Sequence, residues 1–327
     1  MTCPICDSKD VRPLFRLFDD RYGYPRDVDL VICGSCGHKF SARPLDSGEI
    51  ARIYTDYYQR GTLGEGGYAP YQEPNRLWGW LNGELSSAAR WVPPGVRVLD
   101  IGCGSGSYVG YHAGRGCDAH GVDADRNVGV IAEKYGLKIR TGVFDPSDYI
   151  REYFDYVTMD QVIEHVTDPL ATLAGVWQVL KPDGCCVMST PNANGWGAKM
   201  FGAKWLNWHV PYHQQFFTRQ SLALAAIKTG FAVERMSTVT PSVWLVFQMA
   251  HLLTYPTRGR ASLFWAPQSS RRRLDQVLMM KLLMVTRFTV LPQLITRFFD
   301  GRGMGDNYLL ILRKKQSSGG APRGSHG

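Results

Sequence analysis

From residue 96 onward, short apolar runs alternate with stretches in which apolar residues recur every three or four positions. Residues 96–101, 119–122, 138–141, 154–159 and 184–190 read as strands, and 231–239 and 308–312 extend the set. Residues 108–114, 169–180 and 221–229 read as helices. In the second, Leu170, Leu173, Val176, Trp177 and Leu180 share a face, and Gly230 ends the third. Strands alternating with helices of this length predict β-α-β units and an α/β, doubly wound parallel sheet.

The flanks follow other patterns. Residues 1–40 carry Cys-x-x-Cys twice, and 27–32 fits a strand between the two pairs. Residues 41–90 are rich in Gly, Tyr and Trp, lack a sustained period before Leu77, and read as a connecting or cap segment. If 231–239 and 308–312 pair as a hairpin, residues 240–305 interrupt it, far beyond the length of a hairpin loop. That insertion reads as two helices, 243–255 and 274–299, broken at Pro292. The α/β domain then spans 91–315, and 316–327 has the Gly/Ser-rich composition of a disordered tail.

Composition narrows the class. With 327 residues, 44% hydrophobic and 20% charged, the chain can bury a large core, which excludes whole-chain disorder. The net charge of +8 is local: residues 241–300 hold eight basic residues against Asp275 and Asp300. A local excess is not a general nucleic-acid footprint. Residues 1–40 balance six basic against six acidic residues, which further weakens an RNA-gripping reading. No basic segment followed by an apolar core opens the chain, so a reducing, cytoplasmic setting is expected, with the inner face of a membrane as a variant. In that setting Cys3, Cys6, Cys33 and Cys36 point to a metal rather than disulfides. Two Cys-x-x-Cys turns supply four thiolates for a tetrahedral zinc. Such a closed set has no open position for catalysis, so the zinc would be structural. Gly34 and Gly37 suit the turn, and His38 is a competing ligand.

The sharpest local signal is Val98-Leu-Asp-Ile-Gly-Cys-Gly-Ser-Gly106. A buried strand runs into Asp100, and glycines at 102, 104 and 106 permit a tight turn and close approach of a ligand. The next helix would offer its free N–H groups to an anion. Asp123 ends the following strand, where a carboxylate can accept hydrogen bonds from both hydroxyls of a ribose. The dinucleotide fingerprint is not met, because position 107 is Ser.

Asp-Ile-Gly-Cys-Gly-Ser-Gly followed by Val122-Asp123 resembles the first two motifs of class I S-adenosylmethionine-dependent methyltransferases. Phe154-Asp-Tyr-Val157, Val162-Ile-Glu-His-Val-Thr-Asp-Pro169 and Leu180-Lys-Pro-Asp-Gly184 are similar to the fourth-strand, fourth-helix and fifth-strand signatures of the group that includes ubiquinone-biosynthesis O-methyltransferases and sugar methyltransferases. The resemblance covers about 91–239 and resumes near 307–315. It implies a Rossmann-like methyltransferase sheet, with an N-terminal zinc-ribbon-like unit and a helical insertion between the last two strands. It also implies S-adenosylmethionine as cofactor, held by Gly102, Cys103, Gly104 and Gly106 around the methionine part. Asp100 would hold its amino group and Asp123, with Ala124, its ribose. Phe144 and Asp145 would lie at the adenine, and Asp160 and Gln161 beside the methionine.

Residues 191–217 would overhang the carboxyl ends of the strands, where ligands of such sheets bind. They hold Trp196, Phe201, Trp205, Trp208, Tyr212, Phe216 and Phe217 together with His209 and His213. Transfer to a hydroxyl calls for alignment and a base, and histidine suits that near neutral pH. His165, His209 and His213 are the candidates, although Pro211 argues against a shared helix face for the last two. The expected acceptor is a small molecule, a sugar or a lipid-linked precursor. An RNA methyltransferase and a non-catalytic scaffold are the alternatives. For the basic insertion, the readings are a cap on the domain, a homodimer interface, or contact with a membrane surface or lipid-linked acceptor.

Overall fold

A computed structural model describes residues 1–57, 68–266 and 289–315, with residues 278, 281–283 and 285 between them. The strands are β1 (Val11–Leu17), β2 (Val28–Cys33), β3 (Lys39–Ser41), β4 (Arg97–Ile101), β5 (Asp118–Asp123), β6 (Lys138–Thr141), β7 (Phe154–Asp160), β8 (Leu180–Pro191), β9 (Gln215–Phe216), β10 (Phe231–Thr238) and β11 (Asn307–Lys314). The helices are α1 (Ser47–Arg52), α2 (Arg76–Asn82), α3 (Ser107–Gly114), α4 (Val128–Tyr135), α5 (Pro169–Val179), α6 (Trp196–Phe201), α7 (Arg219–Lys228), α8 (Val243–Leu253) and α9 (Leu291–Gly301).

Seven strands form one sheet in the order β10-β11-β8-β7-β4-β5-β6. β8, β7, β4, β5 and β6 run parallel, and β11 is antiparallel to both β8 and β10. Its two faces can be read from alternate residues. Leu99, Ile101, Val157, Met159, Leu310 and Leu312 pack in one core with Leu173, Val176, Leu222 and Ala225 of α5 and α7. Val98 turns to the opposite face, where Val109 of α3 covers it. Chain order reverses between β4 and β7, which opens a crevice at their carboxyl ends.

The predicted strands all form, within three residues at most ends; the fifth also takes in 180–183, which lie beside Phe154. The expected hairpin is β10–β11, and the insertion lies between its strands. Pro292 does not break a helix but stands in the first turn of α9, where a missing N–H costs no hydrogen bond. Most of 274–288, including Arg287, lies outside the described residues, as do Arg271, Arg272, Arg273 and the tail 316–327.

The N-terminal unit is not closed on itself. Its sheet, β1-β2-β3-β9, takes its last strand from residues 215–216, so Lys39 and Phe40 pair with Phe216 and Gln215. Beneath it, Leu17 and Leu30 pack with Trp205, Trp208, Val210 and Phe216. Trp205, Trp208 and Phe216, from the segment expected to overhang the strand ends, are therefore packed beneath this small sheet, while Phe40 and Phe217 belong to the core shared with the large one.

Candidate functional site

The glycine loop leaves β4 at the crevice. The N–H groups of Gly102 and Cys103 donate to the Val122 carbonyl at 2.8 and 3.2 Å, which fastens the loop to the end of β5. Gly104 has φ +53°, and a Cβ built there would meet nothing within 4 Å. Gly106 has φ +77°, but a Cβ there would lie 2.5 Å from Ile139 Cδ1. The middle glycine thus opens outward, as a ligand cradle requires, while the last is needed for packing. Cys103 turns its side chain inward against Gly121, so its backbone alone faces the cradle.

Two carboxylates frame this loop. Asp100 is buried and accepts a 2.6 Å hydrogen bond from the Thr158 hydroxyl, while its Oδ2 has no partner. Burial pushes its carboxyl up to about 7, against the Thr158 bond and with Asp160 and Asp123 adding to the rise. An unpartnered buried carboxylate oxygen invites a cationic donor. Asp123 accepts from the N–H of Gly104 and of Asp125, both at 2.8 Å, so it holds the loop as well as facing the crevice. Ala124 beside it is exposed.

At the end of β7, Asp160 accepts from Ser189 and, at 3.2 Å, from the Tyr108 hydroxyl; burial raises its pKa. Gln161 takes a left-handed φ of 56° and donates from its amide to Ser189 Oγ and Asn307 Oδ1. Phe144 is half-buried beside Tyr149. Asp145 is exposed and caps the turn Pro146–Asp148 through Ser147, whose N–H and hydroxyl hold its pKa below the usual range.

The three candidate histidines, far apart or out of phase in sequence, meet in space. Ring centroids lie 4.5 Å apart for His165 and His213, and 4.9 Å for His209 and His213. No shared helix brings this about. His209 adopts a left-handed φ of 38°, and its carbonyl accepts from the N–H of both Tyr212 and His213. His213 Nδ1 faces the Asn207 carbonyl at 2.8 Å, and His165 Nδ1 the Tyr212 carbonyl at 3.1 Å. A carbonyl only accepts, so these contacts favour the proton on Nδ1 and leave Nε2 as the acceptor nitrogen. Burial drives His209 and His213 well below the usual histidine range, with neighbouring cations and imidazoles adding to it. His165 is half-buried and therefore the reachable one.

Glu164 lies behind this cluster. It is buried, accepts from the Thr190 hydroxyl at 2.9 Å, leaves Oε1 without a partner, and is raised to about 8 by burial. Donor atoms of Glu164, His165 and His213 lie within 4.8 Å of one another, a spacing that also suits a divalent cation.

Sequence reasoning missed the tyrosines around the cluster. The Tyr54 hydroxyl lies 3.2 Å from His165 Nδ1, and Tyr22 stands edge-on to Tyr212 at 5.4 Å. Tyr22 is set by Asp19, which accepts from the N–H groups of Arg21, Tyr22 and Tyr24 at about 3.0 Å. An Asp followed by several turn residues was the available signal.

The four thiols of Cys3, Cys6, Cys33 and Cys36 lie within 4.8 Å of one another, with Cys3–Cys36 at 3.6 Å and Cys6–Cys33 at 3.5 Å. A tetrahedron with sulfur about 2.3 Å from its centre has edges of about 3.8 Å, so the set fits zinc. His38 turns away to Gln215 Oε1 at 2.9 Å, and burial lowers it to about 4. The unit is docked: Thr218 donates to the Cys36 carbonyl, Gln220 to the Ser35 carbonyl, and the Lys228 ammonium pairs with Asp7.

A family model described as "Methyltransferase domain" matches residues 62–235, more than half of the chain. A ubiquinone biosynthesis O-methyltransferase of Cereibacter sphaeroides is 40% identical over 125 residues, 36% of this chain and 51% of that protein. Another, from Thiobacillus denitrificans, is 26% identical over 214 residues, 60% of this chain and 88% of its own. The chain thus spans about half the length of the first curated relatives it matches. Among solved structures, phosphoethanolamine N-methyltransferase 2 of Haemonchus contortus, in complex with S-adenosyl-L-methionine, is 19% identical at a TM-score of 0.47, covering 72% of this chain and 53% of that one. Given the matched segment, which contains the glycine loop and five parallel strands ending at one crevice, the chain belongs to the methyltransferase domain family, in its class I, S-adenosylmethionine-dependent branch.

Proposed function

We propose that this protein transfers a methyl group from S-adenosylmethionine to a hydroxyl oxygen of a small-molecule acceptor, a sugar or lipid-linked precursor included. When bound, the cofactor supplies an electrophilic methyl on a sulfonium. Gly104 would give it backbone access, Asp100 Oδ2 would take its amino group, and Asp123 its ribose hydroxyls. The names of the relatives, O-methyltransferases, support oxygen as the methylated atom.

One observation supports the acceptor side: His165, just after β7, and His213, just before β9, meet with ring centroids 4.5 Å apart, each with its Nδ1 against a backbone carbonyl. His165 Nε2 takes the hydroxyl proton as the oxygen attacks, and the Tyr212 carbonyl holds its ring in the required tautomer. His213 is a positioning residue packed behind it. The four thiolates hold a structural zinc, and through it the sheet that backs residues 205–216.

The test uses methyl-labelled cofactor with a metabolite and lipid extract. Label should enter an ether-linked methyl, and His165→Gln should lower turnover by about 10²–10⁴-fold at unchanged cofactor affinity. Full turnover in that variant, or label on nitrogen or carbon, overturns the reading. A second reading gives Glu164, His165 and His213 a divalent cation that binds the acceptor hydroxyl. Activity lost to a chelator and restored by magnesium would select it.

A further inference from the structure

The outer faces of α2 and α9 invert the usual arrangement of an amphipathic helix. In α9 the buried positions are Pro292, Gln293 and Thr296, whereas Leu291, Leu294 and Phe298 are more than half exposed. In α2, Gly79 is buried, while Leu77, Trp78 and Trp80 are exposed. Helices of a soluble domain ordinarily turn apolar residues inward and polar ones out.

The two helices are fastened to one another. Arg297 donates to the carbonyls of Trp80 and Leu81 at 2.6 and 3.0 Å and pairs with Asp300; Gln293 donates to Asn82 Oδ1 at 3.2 Å. Their polar groups are thus used between them, and the apolar side chains are left on the outside. Upstream of α9, Leu278, Leu282 and Val285 are exposed as well. Exposed apolar side chains gathered on two fastened helices mark an interaction site.

Charge selects the occupant. Between 258 and 302 the sequence carries nine basic residues against two acidic; of these Arg258 pairs with Asp27 and Arg297 with Asp300, while Arg271, Arg272, Arg273 and Arg287 lie outside the described residues in the segment that leads into α9. Arg302, at the end of α9, lies over the Phe298 ring at 3.5 Å, so a cation borders the apolar face directly. A second copy of this chain would bring the same positive charge to the contact and be repelled. A surface of anionic lipid headgroups over acyl chains matches both features. Tryptophan suits such a boundary, because its ring is apolar with one polar N–H. Among the described residues no helix is long and apolar enough to cross a membrane, so the contact is peripheral.

We infer that α2 and α9 together form a docking face for the surface of an anionic membrane, engaged by Trp78, Trp80, Leu294 and Phe298 and by Arg302 at its edge. The inference is independent of the methyl acceptor.

Full-length protein should co-sediment with vesicles of phosphatidylcholine mixed with phosphatidylglycerol at low salt, and with pure phosphatidylcholine vesicles far less. Molar salt should release it. Leu294→Gln with Phe298→Gln should lower partitioning about tenfold or more, the scale set by two exposed apolar side chains that no longer enter the lipid boundary. Trp78→Phe, a change on the other helix that keeps the fold and the apolar face, should reduce quenching of tryptophan emission by brominated phosphatidylglycerol. The inference is overturned if wild-type protein stays in the supernatant with anionic vesicles at low salt. It is equally overturned if sedimentation velocity shows a dimer that the Leu294/Phe298 variant dissolves, or if the folded variant binds vesicles as wild type does.

Discussion

On the proposed cofactor side of the crevice, the glycine loop and the two carboxylates that frame it come from one stretch of chain. Gly102, Cys103 and Gly104 are tied to Val122 and Asp123 by backbone N–H groups, and Asp100 is a strand residue of the same β-α-β unit. On the proposed acceptor side, His165, His213, Tyr54 and Tyr22 come from four separate stretches. They are held by the β1–β2 loop, residues 53–57, the end of β7 and the turn before β9. The first half can keep its shape when the rest of the protein is disturbed. The second depends on every packing surface that brings those stretches together, the four-thiolate unit among them.

Of the changes that set one half of the crevice against the other, Cys33→Ser should have the largest effect. Loss of one thiolate should release the zinc, whose binding in comparable closed sites is worth about 10 kcal/mol or more. The β1–β2 sheet then loses its anchor, and the core of Trp205, Trp208 and Phe216 loses the surface it rests on. Methyl transfer should fall about a hundredfold, the effect of a small misplacement of reacting groups. Cofactor affinity, by calorimetry, should stay within about threefold, because the 102–106 loop makes its bonds elsewhere. Equal loss of both would break the comparison.

Asp123→Ala is the mirror case. It removes a carboxylate that accepts from Gly104 and faces the crevice, so cofactor binding should weaken by about 1.5–3 kcal/mol. Turnover at saturating cofactor should change little. A variant with wild-type affinity would remove Asp123 from the ribose.

A smaller effect follows from pH. Asp100 is raised to about 7, so the ligand-free protein holds it protonated below that value and ionised above. A cationic amino group needs the carboxylate. Affinity should therefore rise with pH through that range, by at most about tenfold per pH unit, and level off above it. Below the midpoint, binding should release a proton, seen as a dependence of calorimetric heat on buffer ionisation. Asp100→Asn should bind weakly at every pH and show no such release.

The parts of this site that were legible in the sequence are those encoded locally. Gly102, Gly104 and Gly106 require left-handed backbone in a row, and Asp123 ends a strand, so spacing alone marked the loop. The four cysteines were legible because Cys-x-x-Cys is itself a turn motif. Tyr22 and Tyr54 were not, since an aromatic ring in an aperiodic stretch has no signature until the fold delivers its neighbour. The meeting of His209 and His213 was hidden for another reason. Helical spacing was the wrong test, because a left-handed residue at His209 brings the rings together. Nor does the sequence of residues 1–40 reveal that their sheet takes its last strand from residues 215–216, a pairing across more than 170 residues.

The central claim is that the open face of Gly104 is where S-adenosylmethionine lies, and one titration tests it. A methyl group at 104 meets no protein atom, so Gly104→Ala should fold, at a cost of about 1–2 kcal/mol for its left-handed φ. Calorimetry with S-adenosylmethionine should show one site per chain in wild-type protein and at least about tenfold weaker binding in the variant, 1.4 kcal/mol or more. Wild-type protein that does not bind the cofactor, or a folded variant that binds it equally well, would contradict the account.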